Sequence, residues 1–271
     1  MKRETGPGSG KGDGAAAAVV ASGIARRFGH RWALRGASLR VERGEVAALV
    51  GHNGSGKTTL LRVLATTLRP TRGNGAVFGF DLVRDAPRIR ELVAVLGHSP
   101  GVYGDLTARE NLEFALRMSG RAASARAVAE ALDAVGLAAE ADELVRVFSA
   151  GMQRRLALAR VLLRRPRLIL LDEPYAAFDA DGVARVNRIL ADHKAAGNAA
   201  IIATHDPARA APVVDRLWTI SRGRIEAAVA TEQRSDAPRS PDAPGGTAGA
   251  DGGIEAGHGT AVAAEPERAA R

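Results

Sequence analysis

Residues 51–59 combine glycines, a lysine and threonines at a spacing that suits phosphate binding. Residues 51–58 match the pattern G-x-x-x-x-G-K-[ST]. Glycines let the backbone curl so that several N–H groups point at phosphate oxygens, and a following helix adds its positive N-terminal end. The lysine of such a loop reaches the terminal phosphates, and the next hydroxyl is a ligand for Mg²⁺. We therefore expect a nucleoside triphosphate to contact Gly51, His52, Asn53, Gly54, Ser55, Gly56, Lys57, Thr58 and Thr59.

Two acidic residues follow an apolar run that has the composition of a buried strand. The run covers residues 168–171 and is followed by Asp172 and Glu173. A buried strand delivers such residues to the carboxyl edge of a sheet, where α/β proteins bind ligands. We predict that Asp172 holds Mg²⁺ together with Thr58, and that Glu173 accepts a proton from the attacking water. A solvated strand end is the alternative, and the phosphate loop upstream favours the catalytic interpretation.

Strand and helix patterns alternate along the middle of the chain. Apolar runs predict buried strands at four places: 46–50, 168–171, 199–203 and 217–220. Helical spacing and capping signals predict helices at 58–68, 107–116, 152–163 and 181–196. The alternation predicts an α/β fold with a mostly parallel sheet that is flanked by helices. The stretch at about 100–165 has no strand pattern and predicts an inserted α-helical subdomain.

Composition separates the two ends of the chain from this domain. Residues 1–16 are Gly-rich and polar, and residues 229–271 have almost no large apolar side chains. Neither segment has enough apolar surface for a core. We predict a disordered leader at 1–16, a folded domain at 17–228 and a disordered tail at 229–271.

Charge and composition limit the functional classes. The chain has no cysteine, which excludes disulfides, thiolate metal sites and cysteine nucleophiles. No apolar run reaches the ~18–20 residues that cross a bilayer, so we expect no transmembrane segment. The net charge of +8 fits an anionic partner, and an Arg-rich genomic composition is an equal alternative.

A segment before the acidic pair resembles the signature loop of ATP-binding cassette (ABC) proteins, which is usually written LSGGQ. Ser149 and Gly151 match this signature, and the departures are Phe148, Ala150 and Met152. The order of phosphate loop, signature, acidic pair and then His205 is also the order of that family. The resemblance covers about residues 17–224. It implies a P-loop NTPase of ABC type that binds and hydrolyses ATP with Mg²⁺, with a small antiparallel β part near the N-terminus.

The resemblance assigns roles to further residues in the same chain. His205 follows an apolar strand and resembles the histidine that contacts the γ-phosphate, so it joins Lys57 and Glu173 as a catalytic residue. Phe28 matches the aromatic residue that stacks on adenine, and a buried core phenylalanine is the alternative. One loop departs from the family, because residues 96–107 contain no Gln where the family has one near Mg²⁺. His98 or Ser99 takes that position.

The resemblance also implies a partner of the same kind. In the family, the residues that match Ser149 and Gly151 cap the γ-phosphate of ATP bound to a second subunit, and Asp179 matches a residue at the seam. This chain has one phosphate loop and one signature. We therefore predict a head-to-tail homodimer that closes on two ATP molecules.

Several other short segments resemble those of the ATP-binding subunit of the heme exporter of cytochrome c maturation. They are Gly97-His98, 106–112, 149–151 and 171–185. The resemblance implies a peripheral protein on the cytoplasmic face of the cell membrane. Separate integral membrane subunits would be its partners, and nucleic acid would not.

Other functions remain as alternatives to heme export. The ATPase of a drug, lipid or polysaccharide exporter is the main alternative, because cassette subunits share many such segments. A soluble cassette protein fits less well, since the chain has one cassette and no long heptad insertion. A GTPase would need an N-K-x-D motif, which is not found. A non-enzymatic module would not need Lys57, Asp172, Glu173 and His205 together.

Overall fold

The computed structural model describes residues 17–122 and 124–230. The strands in these ranges are β1 (Ala17–Phe28), β2 (Arg31–Glu42), β3 (Val46–Val50), β4 (Arg72–Val77), β5 (Phe80–Asp81), β6 (Val93–Leu96), β7 (Leu168–Asp172), β8 (Ala199–Thr204), β9 (Arg216–Ser221) and β10 (Arg224–Ala230). The helices are α1 (Lys57–Leu64), α2 (Ala86–Leu92), α3 (Ala108–Met118), α4 (Ala125–Ala134), α5 (Ala150–Leu163) and α6 (Ala180–Ala195). The predicted leader at 1–16, and residues 231–271 of the predicted tail, lie outside the described residues.

A six-stranded sheet forms the centre of the fold. Its strand order is β10-β9-β3-β8-β7-β6, and every neighbouring pair is parallel except the β9–β10 hairpin. This arrangement confirms the predicted α/β class with a mostly parallel sheet. Strands β3, β7 and β8 are therefore adjacent, and their carboxyl ends lie at the same edge of the sheet.

Both faces of this sheet are buried, which explains the uninterrupted apolar strands. On β7, Leu168 and Leu170 pack into one core, and Ile169 and Leu171 pack into the other. The first core also contains α1 and the inner residues of β1 and β2. The second core contains the apolar sides of α3, α4, α5 and α6.

No helix in the described part of the chain is long and apolar enough to cross a membrane.

A second sheet lies near the N-terminus and is antiparallel, as the family resemblance implies. Its strand order is β2-β1-β4-β5. Val19 of β1 and Leu34 of β2 are fully buried and belong to the same core as Leu60 and Leu64 of α1. The antiparallel sheet therefore holds the helix that follows the phosphate loop.

Four predicted boundaries are wrong by two to four residues. Helix α3 ends at Met118 instead of Leu116, and α5 begins at Ala150 instead of Met152. Helix α1 ends at Leu64 instead of Leu68, and Thr66 has a left-handed φ of 58°, which ends the helix before Pro70. The tail was predicted to start at Val229, but Val229 and Ala230 pair with β9 as the last residues of β10. Backbone pairing needs no large side chains, so composition could not reveal it.

The predicted start of α3 is confirmed. The Thr107 hydroxyl accepts a hydrogen bond from the Glu110 amide at 3.1 Å, and a Glu110 carboxylate oxygen accepts one from the Thr107 amide at 2.8 Å. This reciprocal pair is a capping box, as the Thr-x-x-Glu spacing indicates.

The β9–β10 turn is packed directly on the phosphate loop. The Gly223 amide donates to the Ser55 carbonyl oxygen at 2.8 Å, and the Gly223 carbonyl oxygen accepts from the Arg35 amide at 2.8 Å. Gly223 has a φ of 79°, and a Cβ added there would lie 2.6 Å from the Ala33 carbonyl oxygen. The turn therefore requires glycine both for its backbone conformation and for its close approach.

We expect Gly223→Ala to destabilise the protein and to weaken nucleotide binding. The left-handed conformation alone costs about 1–2 kcal/mol for a non-glycine residue, and the clash with the Ala33 carbonyl oxygen adds to this. The matched control is Gly197→Ala, because Gly197 has a φ of 75° but no atom near an added Cβ. Thermal unfolding and ATP titration check both variants. Equal loss of stability, with equal ATP affinity, would show that the contact with the phosphate loop has no role.

Candidate active site

The carboxyl edge of the parallel sheet opens into a cleft of about 1390 Å³. The phosphate loop follows β3, the acidic pair ends β7 and begins the next loop, and His205 follows β8. The predicted site residues that line the cleft are Phe28, His52, Asn53, Gly54, Gly56, Lys57, Thr58, Thr59, Asp172, Glu173 and His205. The topology of the sheet thus brings together residues that are more than a hundred positions apart.

The phosphate loop is wrapped around the side chain of Lys57. This side chain is 6% exposed, and its ammonium donates to the carbonyl oxygens of Gly51 at 2.5 Å and His52 at 3.3 Å. Ser55 belongs to the same loop and is 1% exposed. Helix α1 begins at Lys57, so its first amides have no partner within the helix and can bind an anion.

Thr58 and Asp172 are in direct contact, although they belong to different elements. The Thr58 hydroxyl donates to Asp172 Oδ2 at 2.7 Å. Magnesium is usually held by one or two such oxygen ligands together with water and substrate phosphates. A hydroxyl and a carboxylate side by side at the phosphate loop fit this ion, so the chemistry of the two predicted ligands agrees with a magnesium site.

The Glu173 carboxylate has one anchored oxygen and one oxygen without a partner. Oε2 lies 2.9 Å from Nδ1 of His205 and accepts from the Thr204 hydroxyl at 3.3 Å. Oε1 is buried, lies 3.8 Å from Lys57 Nζ and has no hydrogen-bond partner among the residues that the structure describes. A buried acceptor without a partner is costly. A water molecule that donates to Oε1 would remove this cost and would be held where a general base needs it.

The backbone of Glu173 is strained, because its φ is 50°. Left-handed backbone at a residue with a side chain costs about 1–2 kcal/mol and persists only when its surroundings hold it. Here the Glu173 amide donates to the Ala203 carbonyl oxygen at 2.8 Å, which extends the β7–β8 pairing beyond the end of β7. The turn directs the chain away from the sheet immediately after the acidic pair.

Phe28 is the last residue of β1 and lines the same cleft. It is 48% exposed, so the alternative of a buried core phenylalanine is wrong. The Arg26 guanidinium lies 4.8 Å from the centre of its ring. An exposed aromatic face of this kind is available for stacking on a base.

Sequence reasoning missed the cleft residues that belong to β2 and to the β9–β10 hairpin. They are Arg31, Trp32, Ala33, Arg35, Ser221, Arg222, Arg224 and Glu226. The Arg-Gly-Arg sequence at 222–224 is typical of a turn, but no local pattern indicates that the turn contacts a loop far upstream in the sequence. Of the two candidates for the missing Gln, His98 lines the cleft and Ser99 does not.

Five predicted site residues are not in the lining of this cleft: Gly51 and Ser55 of the phosphate loop, and Ser149, Gly151 and Asp179 from other parts of the chain. Ser149 is the N-cap of α5, and its hydroxyl accepts from the Met152 amide at 3.2 Å. Asp179 is the N-cap of α6. A Cβ added to Gly151 would lie 3.1 Å from the Ala177 carbonyl oxygen, so the signature loop is packed against the segment before α6. The contact of Ser149, Gly151 and Asp179 with ATP of a second copy stays a prediction.

The sequence is similar to known ABC ATPases. The family described as ABC transporter matches residues 34–176. The cytochrome c biogenesis ATP-binding export protein CcmA of Xanthomonas axonopodis pv. citri is 46% identical over 66% of this chain and 83% of its own length. The daunorubicin resistance ATP-binding protein DrrA3 of Streptomyces coeruleorubidus is 38% identical over 77% of this chain and 66% of its own length.

A solved structure supports the same fold. The ATP-binding cassette MJ0796, in a dimeric post-hydrolysis state bound to ADP and Pi, has a TM-score of 0.72. The alignment covers 79% of this chain and 99% of that one, with 24% identity. At this identity the likeness concerns the fold alone. The family match over residues 34–176 confirms the predicted ABC type.

We expect Lys57→Ala to weaken ATP binding by about 10- to 100-fold, because charged hydrogen bonds to phosphate contribute about 1.5–3 kcal/mol. Calorimetric titration with Mg-ATP measures the change. Lys194→Ala is the matched control, since Lys194 pairs with Asp215 and does not line the cleft. Unchanged ATP affinity in Lys57→Ala would contradict the phosphate-binding role of residues 51–58.

Proposed function

This chain belongs to the ABC transporter family, whose cassettes are ATPases, and we propose that it powers heme export in cytochrome c biogenesis. The observation that carries the ATPase function is the cleft that joins the phosphate loop, Asp172, Glu173 and His205. Heme export is supported by 46% identity to a CcmA protein over most of the length of that protein.

The first task of the site is to hold the triphosphate. The ammonium of Lys57 and the first amides of α1 supply positive charge at the point where phosphates enter. Thr58 and Asp172 would hold Mg²⁺, and the bound ion would neutralise phosphate charge. Phe28 would stack on adenine and fix the other end of the nucleotide. The residues that hold the two ends of the nucleotide therefore set the position of the γ-phosphate relative to Glu173.

The second task is to activate water. We assign Glu173 as the general base, with Oε1 accepting the proton as the water oxygen bonds to the γ-phosphorus. The bond from that phosphorus to the oxygen that bridges to the β-phosphate breaks, and ADP leaves. His205 holds the other carboxylate oxygen at 2.9 Å, which fixes the direction of Oε1. Because a well-placed base needs its acceptor oxygen within hydrogen-bond reach of the water, this contact supports catalytic roles for both residues.

The third task requires a second copy of the chain. The N-terminus of α5, with Ser149 and Gly151, is an anion-binding feature that lies outside the cleft of its own chain. In a head-to-tail homodimer it would cap the γ-phosphate of the opposite copy, with Asp179 at the seam. Each nucleotide would then be enclosed by two chains and shielded from bulk water.

The substrate is carried by other proteins in this proposal. Integral membrane subunits would form the path for heme, and this chain would bind them peripherally on the cytoplasmic face. The similarity to the DrrA3 protein supports the drug-exporter alternative, since that protein is 38% identical and aligns with 77% of this chain. The CcmA protein is more similar, and more of its own length is aligned. Heme export is therefore the better supported of the two.

Glu173→Gln should bind ATP normally and lose hydrolysis by about 10²–10⁴-fold, because an amide cannot accept the proton. The bound ATP should then trap the homodimer. Single-turnover hydrolysis and size-exclusion chromatography with light scattering measure the two effects. The matched control is Glu226→Gln, because Glu226 lies on β10 and lines the same cleft. Turnover at the unmutated rate in Glu173→Gln would remove its role as base.

Loss of this gene in its host should abolish covalent heme attachment to c-type cytochromes. Heme-stained gels of membrane fractions measure the attached heme. Expression of the intact chain should restore it, whereas the Lys57→Ala chain, made at the same level, should not. Normal heme-stained cytochromes in the deletion strain, with new sensitivity to a drug, would contradict heme export and favour the drug-exporter alternative.

A further inference from the structure

We propose that Arg154 is a positioning residue that sets the place of Glu173 and connects it to the signature helix. The inference rests on the proposed role of Glu173 as the general base. Arg154 lies in the second turn of α5, the helix that Ser149 caps. It is 5% exposed and does not line the nucleotide cleft, so it acts through other residues.

Four backbone carbonyl groups converge on this one guanidinium. One terminal nitrogen donates to the carbonyl oxygens of Gly97 at 2.8 Å and His98 at 2.7 Å. The other donates to those of Asp172 at 2.5 Å and Glu173 at 2.8 Å. The first pair follows β6 and the second pair ends β7. Arg154 therefore joins three separate parts of the active-site region.

These four contacts need an arginine. Converging carbonyl oxygens repel each other, and a planar cation with several fixed donors satisfies them together. The site is costly for a charge, because burial lowers the pKa of Arg154, while the nearby Asp172 and Glu173 carboxylates act in the opposite direction. Lysine presents a single ammonium on a flexible stem and cannot span two pairs of acceptors.

The contact with Glu173 falls where the backbone is strained. Glu173 has its left-handed φ of 50° at the residue whose carbonyl oxygen Arg154 binds. A strained conformation persists only where surrounding contacts determine it. Without the guanidinium, the end of β7 can relax toward ordinary backbone, and Oε1 then leaves the position that a reacting water needs.

The contact with His98 connects the loop after β6 to the same guanidinium. His98 lines the cleft in the region where the family has its metal-contacting Gln. Because Arg154 holds its carbonyl oxygen, His98 and Glu173 are fixed relative to each other. A displacement of α5, such as one caused by Ser149 meeting ATP of the second copy, would therefore move both residues together.

The test compares Arg154→Lys with Arg160→Lys. Arg160 lies on the same helix and donates to the carbonyl oxygens of Gly101 and Pro100, so it holds the same loop but not the end of β7. Arg154→Lys should lower kcat on the order of 10²-fold, the effect of about 1 Å of misplacement. The KM of Arg154→Lys for ATP should stay within about twofold of that of the unmutated protein. The kcat and KM of Arg160→Lys should also stay within about twofold of the unmutated values.

A double-mutant cycle separates positioning of Glu173 from general damage. In a Glu173→Gln background, Arg154→Lys should change the remaining single-turnover rate by no more than about twofold, because the residue it positions no longer acts as base. An equal fold-loss in both backgrounds would overturn the proposal, and so would an unchanged kcat in Arg154→Lys. If thermal unfolding shows that Arg154→Lys is not folded, the cycle is run with Arg154→Gln, whose side-chain amide keeps two N–H donors.

These outcomes are distinct from failure of the proposed function. Full turnover in Glu173→Gln alone would remove Glu173 as base, whatever Arg154 does. Loss of turnover in Glu173→Gln, together with equal effects of Arg154→Lys in both backgrounds, would leave the base in place and remove only the positioning role.

Discussion

The adjacency of three parallel strands is the constraint on which the active site depends. Strand β8 lies between β3 and β7, with Val50 opposite Thr204 and Asp172 opposite Ala203. Neighbouring strands are about 4.8 Å apart, so residues that follow their carboxyl ends are within reach of one another. This pairing accounts for the contact of Thr58 with Asp172 and of His205 with Glu173. A change of strand order would separate all four residues.

The loops beyond the strand ends are held by backbone contacts more than by ion pairs. Gly223 supports the phosphate loop through the Ser55 carbonyl oxygen, and Arg154 supports the ends of two strands through four carbonyl oxygens. The Lys57 ammonium and Oε1 of Glu173 lie 3.8 Å apart, which is beyond hydrogen-bond distance. Oε1 of Glu173, which accepts no hydrogen bond from the described residues, can accept one from a water molecule, as a preorganised site requires.

Local patterns predicted the parts of the site that are set by neighbouring residues. The phosphate loop, the capped start of α3 and the strand before Asp172 all follow from spacing within a few positions. Contacts between distant segments could not be read from spacing. The β9–β10 turn and Arg154 belong to this class, because an arginine within a helical pattern gives no sign that it is buried against four carbonyl groups. The end of α1 was missed because the left-handed Thr66 has no glycine signal.

The central claim is that one chain supplies the phosphate loop and a second chain completes the same site. A structure of the Glu173→Gln protein bound to Mg-ATP tests it most directly, by measuring the distance from Ser149 of one copy to the γ-phosphate held by Lys57 of the other. We expect a hydrogen bond, at about 2.7–3.0 Å, in both sites of a head-to-tail dimer. An ATP-bound protein in which Ser149 faces solvent, far from any second copy, would contradict it.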